Sequence, residues 1–257
     1  MIRISIVAAS LIALVSEAHA DDRTFVYARD ANANEVMVVE GSYALTFGTG
    51  TSGAVRAIDV RGNGAGVLQE IGAQVNVLPA LTIGAFGMLG LRDQPAADAT
   101  GGGFVRLTLL SPEDRNHGLS LAVMLSGLRE FDGATALSLH AQSVYASGRF
   151  RIGGNVQAER RFTSAADRID LIARIAANYA VADELRLGVE YVGQDLEDIF
   201  ENEEAEGGAV QLFALSATSE LLEARLHLGL ASGIAVANSP TGTATGVAGR
   251  VTASYLF

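Results

Sequence analysis

The sequence predicts an all-β protein: a closed antiparallel transmembrane barrel of about twelve strands, with ten or fourteen strands as alternatives. Apolar and polar side chains alternate over long stretches such as residues 67–78, which is typical of strands because successive side chains point to opposite faces. These stretches run for about 10–13 residues, whereas strands in soluble sheets mostly have about 5–6. A tilted strand needs roughly 9–11 residues to cross the hydrocarbon of a bilayer.

The alternation, followed back from Phe257, predicts eleven strands. They lie near 67–78, 80–91, 102–110, 118–129, 134–145, 149–162, 168–180, 184–195, 208–219, 223–235 and 247–257. A barrel whose two termini share a rim has an even number of strands, so one more is expected upstream. Residues 35–48 are the favoured candidate, with 49–66 as the following outer loop, and 53–62 are the rival.

The connectors alternate between short and long, which is typical of outer-membrane barrels with short turns at one rim and longer loops at the other. The short ones lie near Pro79, 112–117, 146–148, 181–183 and 220–222, and the longer ones near 92–101, 130–133, 163–167, 196–207 and 236–246. All four prolines fall in connectors, as expected for a residue that cannot donate to a strand ladder. The glycines 101–103 are interpreted as part of a loop.

The first twenty residues have the pattern of a secretory signal peptide. Arg3 precedes an apolar stretch, and Ala18-His19-Ala20 is a cleavage site of the small-x-small type. A transmembrane anchor or a buried helix is the alternative, although the apolar stretch is short for a span. We therefore expect a signal peptide at 1–20, a periplasmic lead-in at 21–34 and the barrel at 35–257.

Composition excludes several classes of function. The formal net charge is −11, whereas nucleic-acid binding needs a basic surface. The chain has no cysteine, so it can form neither disulfides nor thiolate metal sites. The acidic stretch 195–206 could hold Ca²⁺, but it lacks the spacing of a calcium loop and is more typical of a solvated loop. We expect no metal site and no cofactor.

Charged residues fall on the strand face opposite the apolar residues, and we expect this polar face to line the barrel lumen. The candidates for the lumen and its selectivity are Arg149, Arg151, Glu159, Arg161, Arg168, Asp170, Arg174, Arg186, Glu190, Arg225 and Arg250. Mixed-sign charges of this kind either set the selectivity of a solute pathway or pair across neighbouring strands and fill the interior. A soluble barrel or sandwich, with the polar face outside, is the alternative fold.

The chain closes on SYLF, with Tyr255 and Phe257 on the apolar face of the last strand. This ending, together with the signal and the alternating strands, resembles the integral outer-membrane β-barrel proteins of Gram-negative bacteria, a porin-like class. The resemblance is one of architecture and covers roughly residues 35–257. It implies a location in the outer membrane among its lipids, and recognition of Tyr255 and Phe257 by the barrel-assembly machinery.

The sequence therefore indicates a structural barrel or a narrow passive channel for small solutes or ions, and no enzyme. Two alternatives remain. One is an outer-membrane lipid hydrolase or protease, for which His140 beside Ser138 is the candidate, although the His-x-Ser arrangement of some outer-membrane phospholipases is absent. The other is a surface adhesin that acts through its extracellular loops at 196–207 and 236–246.

Overall fold

The computed structural model describes residues 25, 26, 28, 31, 36–49, 66–91, 97–112, 116–129, 133–162, 169–194, 196, 210–239 and 242–257. Within these residues, twelve strands form one closed antiparallel barrel. They are β1 (Val39–Thr49), β2 (Val67–Leu78), β3 (Leu81–Leu91), β4 (Ala97–Leu110), β5 (His117–Arg129), β6 (Thr135–Ser147), β7 (Phe150–Phe162), β8 (Ile169–Ala182), β9 (Leu185–Gln194), β10 (Val210–Leu221), β11 (Leu226–Ser239) and β12 (Gly242–Leu256). The predicted fold class and the predicted twelve strands are confirmed.

Each strand pairs with its neighbours in sequence, and β12 closes the barrel by pairing with β1. In that seam Ser42 lies opposite Ser254, and Thr46 lies opposite Arg250. Closure matters because a barrel has no edge strand, so every backbone group of the ladder can be paired within the protein. The first strand begins within the favoured candidate 35–48 and ends one residue beyond it, at Thr49, whereas the rival at 53–62 falls outside the described residues.

The two faces of each strand differ in the way the sequence predicts. Along β6, exposed and buried residues alternate from end to end: Leu137 and Leu139 point outward, whereas Ser138, His140 and Gln142 are buried inside. The exterior is therefore apolar and the interior is largely polar. A soluble barrel has the opposite arrangement, so that alternative is wrong.

Five short connectors lie at the rim where β1 begins and β12 ends, as predicted. They are residues 79–80, 111–116, 148–149, 183–184 and 222–225. In the two-residue turn 148–149, Gly148 has a φ of 58°, a left-handed conformation that glycine adopts without a steric penalty.

No helix among the described residues is long and apolar enough to cross a membrane.

Two predicted loops are wrong because strands extend through them. The glycines 101–103 belong to β4, and a Cβ at Gly102 would overlap the carbonyl oxygen of Gly127 on β5. Glycine at this point therefore allows two backbones to approach closely rather than forming a turn. Within 236–246, β11 continues to Ser239 and β12 begins at Gly242, and these two residues pair directly.

Candidate functional site

Most of the predicted lumen residues lie on the inner faces of the strands. Arg151, Glu159, Arg174 and Glu190 are almost fully buried inside the barrel. Arg161, Asp170, Arg186 and Arg250 are half-buried and occupy inward strand positions. The described interior therefore contains charges of both signs on β7, β8 and β9, and a positive charge on β12.

Two of the predicted lumen residues lie in turns, and a third lies outside the described residues. Arg149 is exposed in the turn 148–149, and Arg225 lies in the turn 222–225, so neither is at the predicted strand position. Strand β11 begins only at Leu226 because Leu222, Glu223 and Ala224 all have positive φ and form the turn. Arg168 lies outside the described residues.

One polar cluster, here called the β6–β8 network, consists of Ser138, Gln157, Glu159 and Arg174. The Glu159 carboxylate accepts hydrogen bonds from Ser138 Oγ at 2.6 Å and from Gln157 Nε2 at 3.1 Å. The Gln157 amide also donates to Ser138 Oγ at 3.3 Å, and its oxygen accepts from Arg174 Nη1 at 3.0 Å. Gln157 thus joins an acidic residue to a basic one, so the opposite charges of this wall are locked together by a neutral amide.

Two further polar clusters lie elsewhere on the wall. On β2 to β4, Arg106 Nη2 donates to Thr82 Oγ1 at 3.3 Å, and Thr82 Oγ1 donates to Asn76 Oδ1 at 2.5 Å. At the closing seam, Arg250 donates to Thr46 Oγ1 at 3.1 Å and lies 3.9 Å from a carboxylate oxygen of Glu70. Neighbouring strands therefore pair their polar side chains, as the filling interpretation expects.

His140, the candidate for a hydrolase, is buried on the inner face of β6. Its Nε2 lies 3.1 Å from Ser126 Oγ on β5, a contact that the sequence spacing does not reveal. Both side chains face the interior, whereas acyl chains would contact the exterior. A lipid substrate at the exterior would therefore be separated from this pair by the barrel wall.

The interior is not polar throughout. One apolar cluster contains Val192, Leu212, Ala214, Ala231, Ala235 and Ala248 on β9 to β12, and another contains Ala122, Val144 and Ala176 on β5, β6 and β8. Sequence reasoning did not assign these inward apolar residues a role. The structure supplies a partner for them.

That partner comes from the N-terminal part of the chain. Phe25, Val26, Ala28 and Ala31 are buried and pack in these same two clusters, and we call them the lumen segment. The backbone N–H groups of Val26 and Ala28 donate to the two carboxylate oxygens of Glu190, at 2.8 and 3.3 Å. The sequence predicts a periplasmic lead-in at 21–34, and these four residues of it are buried against the inner face of the barrel.

The described residues contain no group of three or more histidine, aspartate or glutamate side chains placed to hold a metal ion. The acidic stretch 195–206 lies outside the described residues except for Leu196.

Solved structures with a similar fold include the NanC porin, which is 8% identical, with 86% of this chain and 99% of that chain covered at a TM-score of 0.50. The chain has the fold of a porin. The resemblance to porin-like barrels is confirmed at that level. No protein-family model matches the sequence, and no curated protein sequence matches it.

Two larger barrels match less closely. The outer membrane protein OprD from Pseudomonas aeruginosa is 11% identical, with 86% of this chain and 65% of that chain covered at a TM-score of 0.42. OccAB3 from Acinetobacter baumannii is 10% identical, with 86% and 64% covered at a TM-score of 0.44. The chain thus spans just under two thirds of each of these proteins.

Proposed function

We propose that the chain is an outer-membrane barrel that acts as a narrow passive channel for small solutes or ions. The observation that carries this proposal is the combination of an apolar exterior with inward charges of both signs, among them Arg151, Glu159, Arg174 and Glu190. Side chains that line a pore set which ions pass. The porin fold of the NanC match supports the same conclusion.

The exterior supports the proposed location among membrane lipids. Large apolar side chains such as Ile152, Val156 and Ile175 are exposed on the outside. Phe150 lies opposite Tyr179 near the short-turn rim, and both rings are exposed. Aromatic side chains are enriched at both interfaces of a membrane, so this pair fits the inner one.

The proposal extends to biogenesis through the assembly signal at Tyr255 and Phe257. The Phe257 N–H donates to the Val39 carbonyl at 2.9 Å, and the two rings meet edge to face with centroids 5.0 Å apart. The last residues therefore lie in the seam that closes the barrel. Recognition of this strand by the assembly machinery would couple insertion to closure.

Of the two alternatives, neither gains support from the described residues. A lipid hydrolase would need its catalytic pair on the lipid side, but His140 and Ser126 face inward. The adhesin was expected to use 196–207 and 236–246. The second of these ranges is mainly strand, and the first lies almost entirely outside the described residues.

Neutralising Arg174 is expected to shift ion selectivity toward cations. The Arg174→Gln variant removes a buried positive charge from the inner wall, which changes the free energy of a passing ion by about 1 kcal/mol, or the permeability ratio by about fivefold. The measurement is the reversal potential of open channels in planar bilayers under a salt gradient.

Arg149→Gln is the matched control, since it removes the same charge from an exposed turn. We expect its reversal potential to stay close to that of the unaltered protein. Equal shifts in both variants would contradict the assignment of Arg174 to the ion pathway. Absence of current from the unaltered and the altered refolded proteins alike would contradict the channel itself.

A further inference from the structure

We propose that the lumen segment is a removable plug that closes the channel and is latched by Glu190. This inference rests on the proposed channel function and concerns how that channel is regulated. It uses the four residues Phe25, Val26, Ala28 and Ala31. Three observations carry it: where these residues lie, what they pack against, and how they are held.

The lumen segment reaches across the interior. The ring of Phe25 packs so closely on Gly153 of β7 that a Cβ at Gly153 would overlap it. The same residue lines a small cavity together with Thr218, His227 and Ser254, which belong to β10, β11 and β12. Phe25 therefore lies between two sides of the barrel wall, where a solute would have to pass.

The inner wall beside the lumen segment is apolar, as the segment itself is. Val26 packs among Val192, Leu212 and the inward alanines of β10 to β12, and the other three residues pack with Ala122, Val144 and Ala176. Apolar side chains that faced an open, water-filled pore would stay hydrated. Contact with an apolar segment removes them from water, which stabilises the packed arrangement. Small inward residues also leave the room that a chain inside the barrel requires.

Glu190 holds the segment through its backbone. Oε1 accepts the N–H of Val26 and Oε2 accepts the N–H of Ala28, and Glu190 is only 3% exposed. Hydrogen bonds to a charged acceptor are roughly twice as strong as neutral ones, so a single carboxylate provides a firm but local attachment. Glu190 thus satisfies two donors that would otherwise be buried without partners.

The attachment is separate from the barrel ladder. Among the described residues, no backbone–backbone hydrogen bond joins Phe25, Val26, Ala28 or Ala31 to a strand. The twelve strands pair all the way around without the segment. It can therefore leave without breaking a strand pairing, which distinguishes a plug from a structural part of the wall.

The test compares full-length variants in planar bilayers. Val26→Asp places a carboxylate beside Glu190 and inside an apolar cluster, so we expect it to expel the segment and to raise the fraction of time the channel is open at least tenfold. Glu190→Gln weakens the latch and is expected to give a smaller rise. Glu184→Gln, the same change at an exposed turn residue, is expected to leave the open fraction unchanged.

An engineered disulfide tests the opposite change, in which the lumen segment is fixed to the barrel wall. The chain has no cysteine of its own, so only the introduced pair can form the bond. A Cβ at Gly229 would lie 3.1 Å from Val26 Cγ2 and would overlap Thr252 Oγ1, so once the Thr252 side chain rotates away, the sulfur atoms of the Val26→Cys/Gly229→Cys variant come within bonding reach. We expect this variant to stay closed when oxidised and to open like the unaltered protein when reduced.

The outcomes separate the plug from the channel. If the unaltered protein conducts, and either Val26→Asp and Glu190→Gln conduct no more than it does or oxidation of the cysteine pair leaves the current unchanged, the plug is overturned and the channel stands. If neither the displaced nor the reduced proteins conduct, the channel is contradicted and the plug falls with it.

Discussion

Replacing Leu215 by arginine is expected to lower the free energy of unfolding of the barrel in bilayers by about 2–4 kcal/mol. Leu215 lies near the middle of β10, points outward and is 71% exposed. In the proposed membrane, that exposure is contact with acyl chains, where a guanidinium loses its hydration. The measurement is urea-induced unfolding in lipid vesicles, followed by gel mobility with and without heating.

Leu222→Arg is the matched control, because Leu222 is similarly exposed at 64% but lies in a turn at the rim. The cost of an arginine falls to about 0–1 kcal/mol near the interfaces. A soluble protein would tolerate both changes alike. Equal losses in the two variants would therefore contradict a bilayer around β10.

Replacing Gln157 by leucine is expected to destabilise the barrel by about 3 kcal/mol. Gln157 is 1% exposed and makes all three of its described hydrogen bonds within the β6–β8 network, two of them with the charged partners Glu159 and Arg174. Hydrogen bonds to charged groups contribute roughly 1.5–3 kcal/mol each, and their loss leaves buried charges less well compensated. Equilibrium unfolding in lipid vesicles measures the effect.

Gln142→Leu is the matched control for Gln157→Leu. Gln142 is 3% exposed on the neighbouring strand, yet its oxygen has no hydrogen-bond partner among the described residues, and its nitrogen reaches only Met124 Sδ at 3.9 Å. Leucine there removes a poorly satisfied polar group, so the expected change is below about 1 kcal/mol. A loss as large as that of Gln157→Leu would show that the network has no special role.

The strands could be predicted because their signal is local. Along β7, Phe150 and Ile152 face out while Arg151 and Gln157 face in, and a period of two is visible without any knowledge of the partner strands. Strand ends were harder to place, because Gly102 and Ser239 look like loop residues in sequence. Their strand conformation depends on what the neighbouring strand allows.

The lumen segment could not be predicted, because its burial depends on a closed barrel that the rest of the chain must form first. Two signals were nevertheless present. Phe25 and Val26 interrupt an otherwise polar stretch, and Val192 and Leu212 are apolar at inward positions. Neither signal is unusual for a single position in the sequence. Only the three-dimensional structure shows that the two pairs of residues belong to one inner region. The contact of Ser126 with His140 depends on strand register in the same way.

The most direct test of the alternating wall is a spin-label scan along β6 in bilayers. Single cysteines can be introduced from Thr135 to Ser147 without removing any native one. We predict that labels at Leu137, Leu139 and Ala141 are accessible to oxygen dissolved in the lipid, while those at Ser138 and His140 are shielded from it. Uniform accessibility, or the opposite phase, would contradict a barrel with its apolar face toward the membrane.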